Sequence, residues 1–147
     1  MDFNEREQAK FELKTGDVLV CEGGEPGRAA VWREEIKPCY YQKALHRLRP
    51  IAAQVNPYFV MYRLWFGGLR SEFVDSNAQT TIAHLPAIRL ATLPLRVPCL
   101  DEQRRLATVL SGQFEEAGRT RQTLQAQLDE INKLPAALLR QAFSGEL

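Results

Sequence analysis

Asp101–Leu147 reads DEQRRLATVLSGQFEEAGRTRQTLQAQLDEINKLPAALLRQAFSGEL and differs in kind from everything before it. From Asp101 to Asn132 it has no proline and two glycines, and it is rich in Gln, Glu, Arg, Leu and Ala, which favour helix. Asp101 and Glu102 suit the positive end of the helix dipole. Leu110, Ala117, Leu124, Ile131 and Leu138 recur every seven residues. A companion column holds Ala107, Phe114, Arg121, Leu128, Pro135 and Ala142. This is a heptad seam, imperfect at Arg121 and Pro135, and Pro135 should kink the helix or end its first segment. An amphipathic helix can instead fold back onto its own domain. Length argues otherwise, because thirty residues span about 45 Å, longer than a small domain. The expected pairing residues are Leu110, Phe114, Ala117, Leu124, Leu128, Ile131 and Leu138.

Ahead of this rod, residues 1–100 read as a small mixed α/β domain, and the fold class is α+β with a long C-terminal coiled-coil helix over 101–147. Asp17–Cys21 and Ala29–Trp32 predict a hairpin around the glycine-rich turn Gly23-Gly24-Glu25-Pro26-Gly27. Ala44–Leu48 predicts a third strand, with Leu45 and the Arg47 stem on one face and His46 and Leu48 on the other. Asn56-Pro57 reads as a cap and first helical residue, and the helix is expected to close at Gly67-Gly68. A short helix over Leu69–Val74 and a broken or edge strand over Ile88–Val97 complete the expectation. Trp32, Phe59, Trp65 and Phe66 read as core.

The composition, 45% hydrophobic and 25% charged, excludes disorder. No apolar run is long enough for a membrane helix, and the charged start, Met1-Asp2-Phe3-Asn4-Glu5-Arg6-Glu7, carries no expected signal peptide. Cys21, Cys39 and Cys99 form no CxxC pair, so they read as reduced thiols in a cytoplasmic protein. The net charge of +1 hides a bias: residues 28–70 carry eight bases against two acids, while residues 1–27 carry seven acids against three bases. A local basic excess can neutralise phosphates, although a basic stretch in sequence need not be a patch in space.

Catalytic chemistry is not expected. His46 and His84 stand in no metal-binding spacing, and the glycine turn lacks the Lys-Ser/Thr of a phosphate loop. Asp17, Glu22 and Glu25 with Lys43 are the nearest approach to a nuclease cluster, but Asp17 reads as a turn residue before a strand. No metal, cofactor or catalytic residue is expected.

Three motifs, taken in order, resemble the specificity subunits of type I restriction-modification enzymes. Gly16-Asp17-Val18-Leu19 followed by Gly24-Glu25-Pro26-Gly27-Arg28 is similar to the family's hairpin. Pro94-Leu95-Arg96-Val97-Pro98-Cys99-Leu100-Asp101-Glu102-Gln103 is similar to the lead-in to its conserved helix, and Leu138-Leu139-Arg140-Gln141-Ala142-Phe143-Ser144-Gly145-Glu146-Leu147 to its ending. The resemblance implies a partial DNA target-recognition domain over 1–100, incomplete ahead of Gly16-Asp17, and a spacer or dimerisation helix over 101–147. It implies double-stranded DNA and methyltransferase subunits as partners. It also implies antiparallel pairing of the helix with a second recognition unit or another copy. Arg28, Lys43, Arg47 and Arg70 are the expected phosphate contacts, and Gln42, His46, Gln79 and Thr80 the expected base contacts, with Tyr40 and Tyr41 lining a groove. The competing expectation is a truncated adaptor or decoy that keeps the helix without DNA binding.

Overall fold

The computed structural model describes residues 5–42, 44–51, 53–73 and 84–145. The chain divides into two compact units, Met1–Ala107 and Thr108–Leu147.

In the first unit, helix α1 (Glu5–Phe11), unmarked in the sequence reading, leads into strand β1 (Val18–Cys21). Strands β2 (Ala29–Val31) and β3 (Leu45–Leu48) flank β1 on either side, both antiparallel to it. Val18 pairs with Val31 and Leu48, and Val20 with Ala29 and His46. Alternation along β1 puts Val18 and Val20 into the core while Leu19 and Cys21 face away. His46 and Leu48 share that inward face, as their spacing predicted.

Helix α2 (Pro57–Leu69) covers the sheet. The Asn56 side chain accepts from the N–H groups of Tyr58 and Phe59 at 2.9 and 3.1 Å, and Pro57 occupies the first turn, where no N–H is needed. Val60, Leu64 and Gly67 form its buried stripe. Val18, Val20, Val60, Leu64, Phe73, Leu85 and Leu90 make one core cluster.

Four expectations are corrected here. Gly67 and Gly68 do not close α2; they lie inside its last turn, because other chain segments pack against that backbone. A Cβ on Gly68 would stand 2.6 Å from the Pro26 carbonyl oxygen, and one on Gly67 2.6 Å from the Phe73 ring. The short helix expected over Leu69–Val74 is not seen in its described residues, since Leu69 ends α2 and Arg70–Phe73 is a turn, while Val74 lies outside the described residues. Ser71 takes φ 56°, its N–H bonds Gly68 O at 3.0 Å, and the reversal returns Phe73 beneath the helix end. Ile88–Val97 is no strand: helix α3 (Ala87–Thr92) begins after Pro86, and Leu90 N–H bonds Pro86 O at 3.0 Å. Ala87, Leu90 and Ala91 favour helix, and Pro94 forces Leu93 into extended conformation, ending it. Finally, Phe66 is exposed rather than core, and Trp65 is only partly covered.

Helix α4 runs unbroken from Leu100 to Ser144, 45 residues or about 68 Å. It continues through Pro135 and stops at Gly145, whose φ of 78° suits a helix-terminating glycine.

Candidate nucleic-acid interface and helix seam

The β1–β2 loop is shaped by glycine. Gly27 takes φ 88°, and a Cβ there would lie 2.9 Å from the Leu64 carbonyl oxygen and collide with Phe73. The loop therefore lies against α2 and forms with it a cleft lined by Gly24, Pro26, Arg28, Trp65, Leu69 and Ser71. Arg28 stands at this cleft, 2.5 Å from Glu25, with both side chains largely exposed. Exposed pairs of this kind are weak. Nearby, Glu72 accepts two bonds from Arg63 at 3.0 Å and lies 3.8 Å from Arg70. Both guanidiniums stand over the exposed Phe66 ring.

The Gly16-Asp17 motif has a structural role. Asp17 is 1% exposed, and Arg49 meets it with two bonds of 2.7 Å. Lys14 N–H donates to the same carboxylate at 2.8 Å, closing the turn before β1. Burial pushes the Asp17 carboxyl up, but the Arg49 bonds, the Lys14 N–H and the charges of Arg49 and Arg47 outweigh it and hold the group below its ordinary value.

The described residues among the expected DNA contacts have different surroundings. Arg47 donates to the carbonyls of Lys10 and Glu12 at 3.0 and 2.9 Å and stacks on Tyr41, so it clamps the C-terminal end of α1 and the residue that follows it. His46 faces the core side of the sheet, its Nε2 2.7 Å from the Leu85 carbonyl. Arg28 and Arg70 lie near the β1–β2 loop and the end of α2. The half-buried Tyr40 forms a bridge with Glu12, and the half-buried Tyr41 and then Gln42 follow it. Lys43, Gln79 and Thr80 lie outside the described residues. Among the described residues no three His, Cys, Asp or Glu side chains cluster as metal ligands, and no helix is long and apolar enough to cross a membrane.

The first turns of α4 carry a contact that the sequence reading missed. Gln103 is 1% exposed. Its amide donates to the carbonyls of Gln54 at 3.1 Å and Pro98 at 2.9 Å, and its oxygen accepts the Asn56 N–H at 2.8 Å. A single side chain thus serves three backbone groups around the α2 cap. Its signal was present: Gln103 falls one heptad before Leu110, a polar residue on an apolar column.

In the second unit most of the expected seam residues are exposed. Phe114 is 45% exposed, Leu124 59%, Leu128 49%, Ile131 59% and Leu138 55%; Ala117 is also exposed and Leu110 half-buried. Charged side chains occupy other faces, paired as Lys133 with Glu130 at 2.6 Å. Large apolar side chains thus recur on the exposed surface of this continuous helix.

The chain is thus of the class that joins a small α+β domain to a long helix bearing an apolar seam. No profile of a protein family matches it. It is similar over nearly its whole length to type I restriction enzyme specificity subunits, as the three motifs implied. A provisionally named relative, the type I restriction enzyme MjaX specificity subunit of Methanocaldococcus jannaschii, is 22% identical over 97% of the chain. The type I restriction enzyme EcoBI specificity subunit of Escherichia coli is 25% identical over 94% of it. The chain spans about a third of these curated relatives, 34% and 29% of their lengths.

Proposed function

We propose that this chain is a non-catalytic DNA-recognition module of a type I restriction-modification system, working in the cytoplasm. Residues 1–100 contribute to target recognition. The helix over 101–147 pairs with a second recognition unit or another copy and meets methyltransferase subunits. The observation that carries this reading is the likeness to specificity subunits along nearly the whole chain. The exposed seam residues of α4 support the assembly part, because burying a stripe of Leu and Ile against another helix gains free energy.

A gel shift on double-stranded DNA, with methyltransferase subunits present and salt varied, tests it. Binding should weaken steeply with salt, and neutralising Arg28, Lys43 or Arg70 should each lower the salt slope by about one. The engagement of Arg47 and His46 inside the first unit favours a second reading, an adaptor that keeps the helix without binding DNA. No shift at low salt, even with methyltransferase subunits, selects that reading and rejects the first.

A further inference from the structure

Glu72 stands where the chain turns back after α2, and both its backbone and its side chain are held. Ser71 takes the left-handed φ of 56°, and the Glu72 N–H then bonds the Gly67 carbonyl at 2.9 Å, which ties the residue to the last turn of the helix. Arg63 aims the carboxylate, because its Nη1 and Nη2 both donate to Oε2 at 3.0 Å. Arg63 is itself steadied by the Phe66 ring, 5.9 Å from its centre, and the Arg70 guanidinium lies 5.6 Å from the same centre. Both Arg63 bonds fall on one oxygen. Among the described residues the other, Oε1, has only Arg70 Nε at 3.8 Å, beyond hydrogen-bond reach. A carboxylate of fixed direction thus keeps a spare acceptor on a surface shared with the exposed Phe66 and Arg70.

Resting on the DNA-recognition reading proposed above, we infer that Glu72 is a specificity-determining residue whose Oε1 accepts a hydrogen bond from the N4 amino group of a cytosine in the major groove. The choice of base follows from what each base shows there. Guanine and thymine present only acceptors, which repel a carboxylate. Adenine presents an amino donor with the N7 acceptor beside it, whereas the cytosine amino group has a C–H neighbour. Arg63 and Arg70 set two positive charges against the one of Glu72, so the group as a whole can approach an anionic duplex. The same two guanidiniums offset the negative end of the α2 dipole. Arg63 is the positioning residue, since it occupies Oε2 and leaves Oε1 to the base, and Arg70 remains a phosphate contact. A side chain held in this way has its direction set before DNA arrives.

A pool of random-sequence duplexes, selected by gel shift with the full chain and methyltransferase subunits, tests the inference. Duplexes retained by the wild type should share a C·G pair whose change to T·A weakens binding about tenfold or more, because the thymine O4 then faces the carboxylate. Glu72→Gln keeps the shape of the side chain and an oxygen for Arg63. At that pair its preference should fall below about threefold or turn to adenine, whose N6 and N7 match an amide. Changes at other pairs should cost both proteins the same factor. The readout is a ratio between duplexes, so a smaller folded fraction leaves it unmoved. Arg63→Lys keeps the charge and loses the two-nitrogen grip, so it should relax the same pair without changing the salt slope. Equal discrimination at every C·G pair by the wild type and Glu72→Gln overturns the inference while leaving DNA recognition intact. A wild-type protein that retains no duplex overturns the recognition reading itself, and this inference with it.

Discussion

Replacing Gln103 by Leu keeps a side chain of similar bulk in a fully buried place and removes all three of its hydrogen bonds. The Asn56 N–H and the carbonyls of Gln54 and Pro98 are then left with whatever water reaches them. A buried backbone group that loses its partner costs about 1–3 kcal/mol, and these bonds are only part-buried, so the low end applies to each. The sum is about 2–4 kcal/mol. For a chain of this size each kcal/mol lowers Tm by about 3 °C, giving a fall of about 6–12 °C. Urea unfolding followed by the fluorescence of Trp32 and Trp65, both in the first unit, reads the loss directly. Arg104→Ala, next along α4 and exposed, is the control and should change stability by less than about 0.5 kcal/mol. A Gln103→Leu protein within about 0.5 kcal/mol of wild type refutes the reasoning, for it would mean the three backbone groups need no partner.

Two further outcomes follow from the first unit. The Asp17 carboxyl is held below its ordinary 3.8, so its contribution to stability is present above that value and lost as pH falls through the lower folded value. Asp17→Asn should remove that acid-limb loss and, by leaving the Arg49 guanidinium without its carboxylate, cost about 2–4 kcal/mol at neutral pH; an unchanged acid limb in urea titrations contradicts this. Gly68→Ala places a methyl 2.6 Å from the Pro26 carbonyl oxygen and should destabilise by about 1–3 kcal/mol, although alanine is the better helix former. A neutral or stabilising Gly68→Ala in thermal unfolding contradicts the close approach of loop and helix.

Much of this architecture was legible because it follows from periodicity and capping. The three strands, the Asn56-Pro57 start of α2 and the length of α4 come from local pattern, and local pattern decided them. The errors arose where tertiary contacts override that pattern. Gly67 and Gly68 look like a helix end in isolation, and only the position of Pro26 and Phe73 shows them to be contact glycines. Ile88–Val97 looks like a broken strand until Pro86 and Pro94 are seen to bracket one and a half helical turns. The candidate DNA contacts were the least legible. A basic residue in sequence carries no mark of its partner, and Arg47, offered for a phosphate, turns inward to two backbone carbonyls. Arg49, absent from that reading, holds the buried carboxylate instead.

The mass of the chain in solution, measured by sedimentation at tens of micromolar, tests most directly whether α4 is an assembly helix. Self-assembly through the seam predicts a species of twice the 16.7 kDa chain mass that reverts to a monomer on Leu124→Asp or Leu128→Asp. A 16.7 kDa particle indifferent to both changes, and equally indifferent to added methyltransferase subunits, contradicts the account.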